Sequence, residues 1–285
     1  MRQFLPDGYV YDENKAHPVT FTNPDGNKLE IWLLASNVVR VKHTLHSKRQ
    51  DIHNNNDKDS STASFSIKQQ DPNQMEIETP ELRIVIELPS LRLIWYDKSQ
   101  REPFAEDLPK RAYAYDKNSH DVSDVWHYRK RYDDDAFYGL GERTGSLNLA
   151  GRRFRLERLD SMGYDAETQD PLYKFSPFYV TLSKATGRAH GIYYQNFSTT
   201  TVDLGQELDA VSAYTPIYRL GLQMRVVDVG EIYLLSCTNR SLGLCHYLWP
   251  ICVGGNTIVR YLDGRTATLA TALFLRLSCV FYGLR

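Results

Sequence analysis

Leu82-Arg83-Ile84-Val85-Ile86-Glu87-Leu88-Pro89-Ser90-Leu91-Arg92-Leu93-Ile94-Trp95-Tyr96 is the stretch on which the fold turns. Leu82, Ile84, Ile86 and Leu88 recur with a period of two, with Arg83 and Glu87 on the other side, the pattern of a strand half-buried in a sheet. Pro89-Ser90 interrupts the run, and Leu91 to Tyr96 then completes a predicted hairpin that Asp97-Lys98-Ser99-Gln100 closes with a turn. The same texture continues in both directions. Val19 to Thr22 leads into the turn Asn23-Pro24-Asp25-Gly26, and strand candidates follow at 29–34 and 38–45. The polar stretch 51–61 reads as an exposed loop, after which 65–67 and 75–79 resume the pattern. No window of twelve or more residues in 1–210 carries a helical stripe. Many short strands with frequent turns predict an all-β fold, one large antiparallel β-sandwich.

Composition narrows the function classes. A chain of 285 residues can bury a substantial core, and a net charge of −1 provides no electrostatic footprint for nucleic acid or an anionic membrane. Nineteen Tyr and four Trp raise the aromatic share to 12%, which suits strands and also suits stacking on sugar rings. Residues 1–10 lack a basic start followed by an apolar run, so a cytoplasmic location is expected and the sequon Asn196-Phe197-Ser198 carries little weight. No Gly-rich phosphate loop or dinucleotide fingerprint precedes a helix, and no cofactor is expected. His43 with His46, and His120 with His127, lack a third ligand at metal spacing and read as surface histidines. Asp133-Asp134-Asp135 reads as a solvated loop.

The most specific block spans 137–178. It opens with Phe137-Tyr138-Gly139-Leu140-Gly141-Glu142-Arg143-Thr144-Gly145 and continues through Gly151-Arg152-Arg153-Phe154-Arg155 and Leu159-Asp160. It then runs through Gly163-Tyr164-Asp165 to Asp170-Pro171-Leu172-Tyr173-Lys174 and Pro177-Phe178. Phe154 and Leu156 alternate with charges, as in a strand with a polar outer side. Residues 160–174 have no periodicity and are rich in Gly, Asp, Tyr and Pro. They read either as structural turns of a β domain or as a long functional loop. The order of these elements resembles glycoside hydrolase family 31, the α-glucosidase-type enzymes, in its N-terminal galactose-mutarotase-like β-sandwich. Gly191-Ile192-Tyr193-Tyr194-Gln195-Asn196 and the stretch 199–205 resemble the family's next strand pair, so the resemblance covers most of 1–210.

The resemblance implies a retaining α-glycosidase whose two catalytic Asp residues stand on loops of a (β/α)₈ barrel that follows the sandwich, with carboxyl groups roughly 5 Å apart. No stretch of this sequence matches the family's nucleophile motif, and a barrel needs about 250 residues, so no catalytic residue is assigned. Glu142 is expected to fix its Gly-rich turn. A sandwich loop in the family reaches the barrel mouth, and the matching substrate-binding candidate is Asp160, with Tyr164 and Asp165 on the same loop; carboxylates suit sugar hydroxyls because they accept hydrogen bonds at both oxygens. The implied partner is an α-glucoside or oligosaccharide.

A change of texture falls near residue 211. Of 34 Lys+Arg and 35 Asp+Glu, residues 211–285 hold seven Arg, no Lys and three acids, and they hold all four cysteines. Domains are therefore expected at 1–210, the family sandwich, and 211–285, a non-family tail read off-frame or disordered, leaving an N-terminal domain fragment inactive alone; the alternative is a genuine, divergent end that completes the sandwich. Thr266 to Leu284 carries Arg276 as its one charge, and a central Arg opposes a membrane helix there. Two other functions compete: a stand-alone, non-catalytic carbohydrate-binding sandwich, and a sugar mutarotase, which needs paired His acids and a late Glu base.

Overall fold

The computed structural model describes residues 2–4, 8–13, 17–44, 63–88, 90–116, 123–141, 145–157, 159, 163, 165, 175–194, 199–206, 208–209, 217–226 and 230–237. Among these every regular element is a strand. Chain order begins β1 (Arg2–Phe4), β2 (Val10–Tyr11), β3 (Val19–Thr22), β4 (Lys28–Ala35), β5 (Val38–Thr44), β6 (Ser66–Asp71) and β7 (Gln74–Glu78). It continues β8 (Leu82–Glu87), β9 (Arg92–Asp97), β10 (Ala105–Glu106), β11 (Tyr113–Asp116), β12 (Ser123–Lys130), β13 (Asp135–Gly139) and β14 (Arg153–Leu156). It closes with β15 (Phe178–Ser183), β16 (Arg188–Tyr194), β17 (Thr200–Asp203), β18 (Leu208–Asp209), β19 (Ile217–Val226) and β20 (Gly230–Cys237). All pairings are antiparallel, and the all-β fold expected from the sequence is the one observed.

The hairpin read from 82–96 is present as β8 and β9, with Ile84 opposite Trp95 and Ile86 opposite Leu93. It sits in a sheet ordered β10-β9-β8-β7-β6, in which sequence neighbours are spatial neighbours. Leu82, Ile84 and Ile86 are buried while Arg83 and Glu87 reach solvent, as the period of two requires. Arg83 lies on Tyr96, 3.9 Å from the ring centre, with Glu76 at 3.7 Å.

The other two sheets are interleaved. One runs β13-β15-β16-β20-β5-β4-β3-β2; the other runs β1-β11-β12-β19-β17-β14, with β18 beside β19. Where Tyr113 leaves the edge of β12, Asp107 and Leu108 take its place: Leu108 N–H donates to the Tyr128 carbonyl, and Asp107 bridges Arg129. The five-stranded sheet is thereby joined to β12. Inward side chains of all three sheets, including Ile31, Ile84, Phe137, Phe154 and Ile192, form one core. β12 is buried on both sides, because Trp126 and Tyr128 pack outward against Leu108 and Ala114.

β19 and β20 lie beyond the domain boundary expected at residue 210, and each takes an inner place in its sheet, β19 between β12 and β17 and β20 between β16 and β5. The compact unit runs Met1–Asn239. The second unit, Arg240–Arg285, and with it the Thr266–Leu284 stretch, lies outside the described residues.

Candidate functional site

Two places hold polar groups that packing alone does not require. The first is the end of the sandwich where the chain passes from β14 toward β15. Of the three sequence-derived sugar contacts, Asp165 is described and exposed, whereas Asp160 and Tyr164 lie outside the described residues, as does Glu142. The strand that feeds this segment is as expected: Phe154 and Leu156 point into the core and Arg153 and Arg155 into solvent. Arg153 donates from both Nε and the terminal nitrogen to one Asp203 oxygen, at 3.0 and 2.7 Å, across the β14–β17 pair. Leu159, in this segment, exposes 46% of its surface.

The second place was not anticipated from the sequence. Inside the sandwich, His127 on β12 meets the Asp107 carboxylate at Nε2 and the Tyr194 hydroxyl at Nδ1, both at 3.0 Å. A carboxylate only accepts, so Nε2 donates to Asp107, leaving Nδ1 to meet the Tyr194 hydroxyl. Tyr194 also meets the Tyr179 hydroxyl, which is hydrogen-bonded to the Arg129 guanidinium. Arg129 returns to Asp107 at 3.6 Å. Tyr113 stacks on His127 with ring centres 4.6 Å apart, and His43 stacks on the other side of Tyr113 at 5.5 Å and reaches the Tyr9 hydroxyl. A column of rings thus crosses the interior from one sheet to the other.

His43 and His127 are therefore not surface residues: each exposes 5% or less. Their partners in the sequence pairs, His46 and His120, lie outside the described residues. The signal that locates them was strand phase. His43 follows Val39 and Val41 on the inner side of β5, and His127 follows Val125 on that of β12. Burial holds the His43 ring well below the usual imidazole range, to about 4, with the neighbouring His127 adding to the effect. Burial and the Arg129 charge lower His190 in the same sense. The aspartate run 133–135 is likewise no simple solvated loop. Asp135 starts β13, is buried, and is pushed up to about 6 by that burial. Asp134 instead caps the 183–185 turn through Ser183 Oγ and Ala185 N–H.

Glu106 and Asp107 divide the work at the sheet junction. Glu106 points outward, accepting from Lys130 Nζ at 2.7 Å, from the Tyr132 hydroxyl at 2.8 Å and from Arg92. Asp107 points inward to His127 and Arg129. The Asp107–His127–Tyr194 arrangement has the parts of an acid–base relay. All three residues are nonetheless buried within the packed core, so the arrangement serves to join sheets rather than to meet substrate. Among the described residues no three His, Cys, Asp or Glu side chains converge as metal ligands.

Comparison with known proteins agrees with this architecture. Residues 28–203 match the glycosyl hydrolase 31 N-terminal galactose mutarotase-like domain. An α-glucosidase 2 from Bacillus thermoamyloliquefaciens is 27% identical over 136 residues, which are 48% of this chain and 16% of that protein. A Flavobacterium johnsoniae family 31 dextranase, solved with glucose, shares the fold at a TM-score of 0.65 and 22% identity, over 87% of this chain and 28% of its own. A cycloalternan-forming enzyme from Listeria monocytogenes, solved with a pentasaccharide substrate, does so at a TM-score of 0.66 and 14% identity, over 83% of this chain and 21% of its own. This chain therefore spans less than a third of any of these relatives, and it belongs to glycoside hydrolase family 31 through that family's N-terminal galactose-mutarotase-like domain.

Proposed function

We propose that this chain is the sugar-facing sandwich of a retaining α-glucosidase-type hydrolase, and that it does not turn over substrate alone. The observation that carries the proposal is the family match across 28–203, which encloses the segment bearing Asp160, Tyr164 and Asp165. In support, relatives of the same fold were solved with glucose and with a pentasaccharide. Catalysis by this mechanism needs two carboxyl groups roughly 5 Å apart on either side of the glycosidic bond. The buried aspartates among the described residues, Asp97, Asp107, Asp135 and Asp203, are committed to partners within the domain instead.

In this reading Asp160 accepts hydrogen bonds from sugar hydroxyls, with Tyr164 and Asp165 as further sugar contacts. Purified chain incubated with p-nitrophenyl α-glucoside is expected to release no nitrophenol; turnover that survives removal of host enzymes overturns the inactivity. Titration with isomaltotriose is expected to show weak binding that the Asp160→Ala variant loses, and equal binding by both proteins removes Asp160 from the site.

A further inference from the structure

β19 and β20 are separated only by residues 227–229, yet they belong to different sheets and do not pair with each other. β19 lies along Ser123–Lys130 of β12 on one side and Thr200–Asp203 of β17 on the other. β20 lies along Ala189–Tyr194 of β16 and Val38–His43 of β5. Each strand thus fills a slot bounded by backbone on both sides. Without them β1-β11-β12 stands apart from β17-β14, and β13-β15-β16 stands apart from β5-β4-β3-β2. The edges of β12, β17, β16 and β5 then present N–H and C=O groups with nothing to pair, the condition under which a sheet recruits a strand from another chain.

The slots are selective about what enters them. His127 and Val202 flank Leu222 in register, and Tyr194 and Val41 flank Ile232. A slip of one residue exchanges the two sides of a strand. The flanking residues all face the core, and His127 there is already committed to Asp107 and Tyr194. The segment whose spacing satisfies both slots at once is 217–237 itself. It is also the last stretch of a compact unit that ends at Asn239, so it joins the rest of that unit from its N-terminal side alone. A terminal element of this kind enters a second copy at low cost, because it remakes there the pairings it leaves.

We infer that 217–237 is an exchangeable segment and that the partner its slots fit is a second copy of this chain. The product is a dimer in which β19 and β20 of each copy complete the sandwich of the other. The closed and exchanged forms share the same pairings, so concentration selects between them.

Cross-linking of the full chain tests this. Thr201 and Gln223 stand opposite each other across β17 and β19. Thr201→Cys and Gln223→Cys chains are mixed in urea, refolded together and treated with a short bismaleimide. A 201–223 link, identified by mass spectrometry, then joins two copies. That link is expected, and the ratio of dimer to monomer is expected to rise about tenfold for a tenfold rise in refolding concentration. A chain carrying both substitutions is expected to link internally when refolded dilute; its failure to do so removes the register and the slots with it. Lys42→Cys with Glu231→Cys, opposite across β5 and β20, is expected to behave alike, since the two strands travel together. No 201–223 link after joint refolding overturns the inference, as does an equal yield when the folded proteins are mixed without urea. A link at one pair and not the other overturns exchange of 217–237 as one unit.

Discussion

The five-stranded sheet and the two interleaved sheets are built from the same kinds of residue but by opposite routes. In the first, β6 to β10 follow one another along the chain and pair with their immediate neighbours. In the others, strands from Arg2 to Cys237 alternate between layers, and each sheet owes an inner member to the stretch 217–237. Charges follow the same division. On the five-stranded sheet Lys68, Glu76, Glu78 and Arg83 pair on the wet side. On β12 the polar residues His127 and Arg129 point inward and must find partners there. A local sheet can leave its polar groups to water; a central strand cannot, because an unpaired buried charge costs several kcal/mol.

The largest effect that would break this comparison is removal of 210–285. The expected result is loss of cooperative unfolding and of near-ultraviolet circular dichroism, since both interleaved sheets lose an inner strand while the five-stranded sheet loses none. A cooperative, native-like 1–209 chain would show instead that β19 and β20 are dispensable.

Next in size is Asp107→Ala at the junction. It leaves Arg129 buried without its carboxylate and His127 without its acceptor, which is expected to cost roughly 3–5 kcal/mol in urea unfolding. Asp107 and His127 should couple in a double-variant cycle, the second substitution costing less than it does alone.

Acidity distinguishes the buried groups by sign. His43, with its folded value near 4 against an ordinary 6.5, binds protons more readily when unfolded. Its contribution is complete above pH 6.5 and is lost as pH falls toward 4, on the order of 3 kcal/mol. Asp135, near 6 against 3.8, binds protons more readily when folded. It opposes stability increasingly as pH rises from 3.8 to 6, by a similar amount, on the order of 3 kcal/mol. The two oppose each other, and His190, Glu106 and Asp134, all lowered by folding, add to the acid loss. Urea midpoints at pH 4.5 and 7 should therefore show a steeper acid loss in Asp135→Asn and a shallower one in His43→Phe. Identical slopes in all three proteins would remove both groups from the balance.

The smallest effect belongs to the wet side of the five-stranded sheet. Arg83→Ala gives up the Tyr96 contact and a 3.7 Å pair with Glu76, and is expected to cost at most about 1 kcal/mol. A loss comparable to that of Asp107→Ala would erase the contrast between the regions.

Much of this was legible in the residues themselves. The alternation from Leu82 to Leu88 determined a hairpin and its buried side, and the Phe154 and Leu156 alternation determined the buried side of β14. The Gly139-Leu140-Gly141 element marked a turn that only glycine-flanked backbone permits. These are local properties: period, turn chemistry and hand are set within a few residues, and the solvent-facing side needs no partner to be recognised. The inner sites were less legible for the converse reason. Nothing near His127 in the sequence names Asp107 or Tyr194, which lie 20 and 67 residues away; strand phase turns the ring inward without saying what it meets there.

What the sequence alone determined is the all-β class, the family and the positions of its hairpins, because side-chain period and turn residues act at short range. What only the tertiary structure decided is which strands are central. Leu220, Leu222, Met224 and Val226 alternate with Arg219, Gly221, Gln223 and Arg225, a pattern that fits an edge strand or an inner one, and only the pairing places β19 between β12 and β17. The interior column of His43, Tyr113, His127 and Tyr194 likewise exists only once two sheets face each other, since each ring comes from a different strand and is held by contacts that strand cannot make alone.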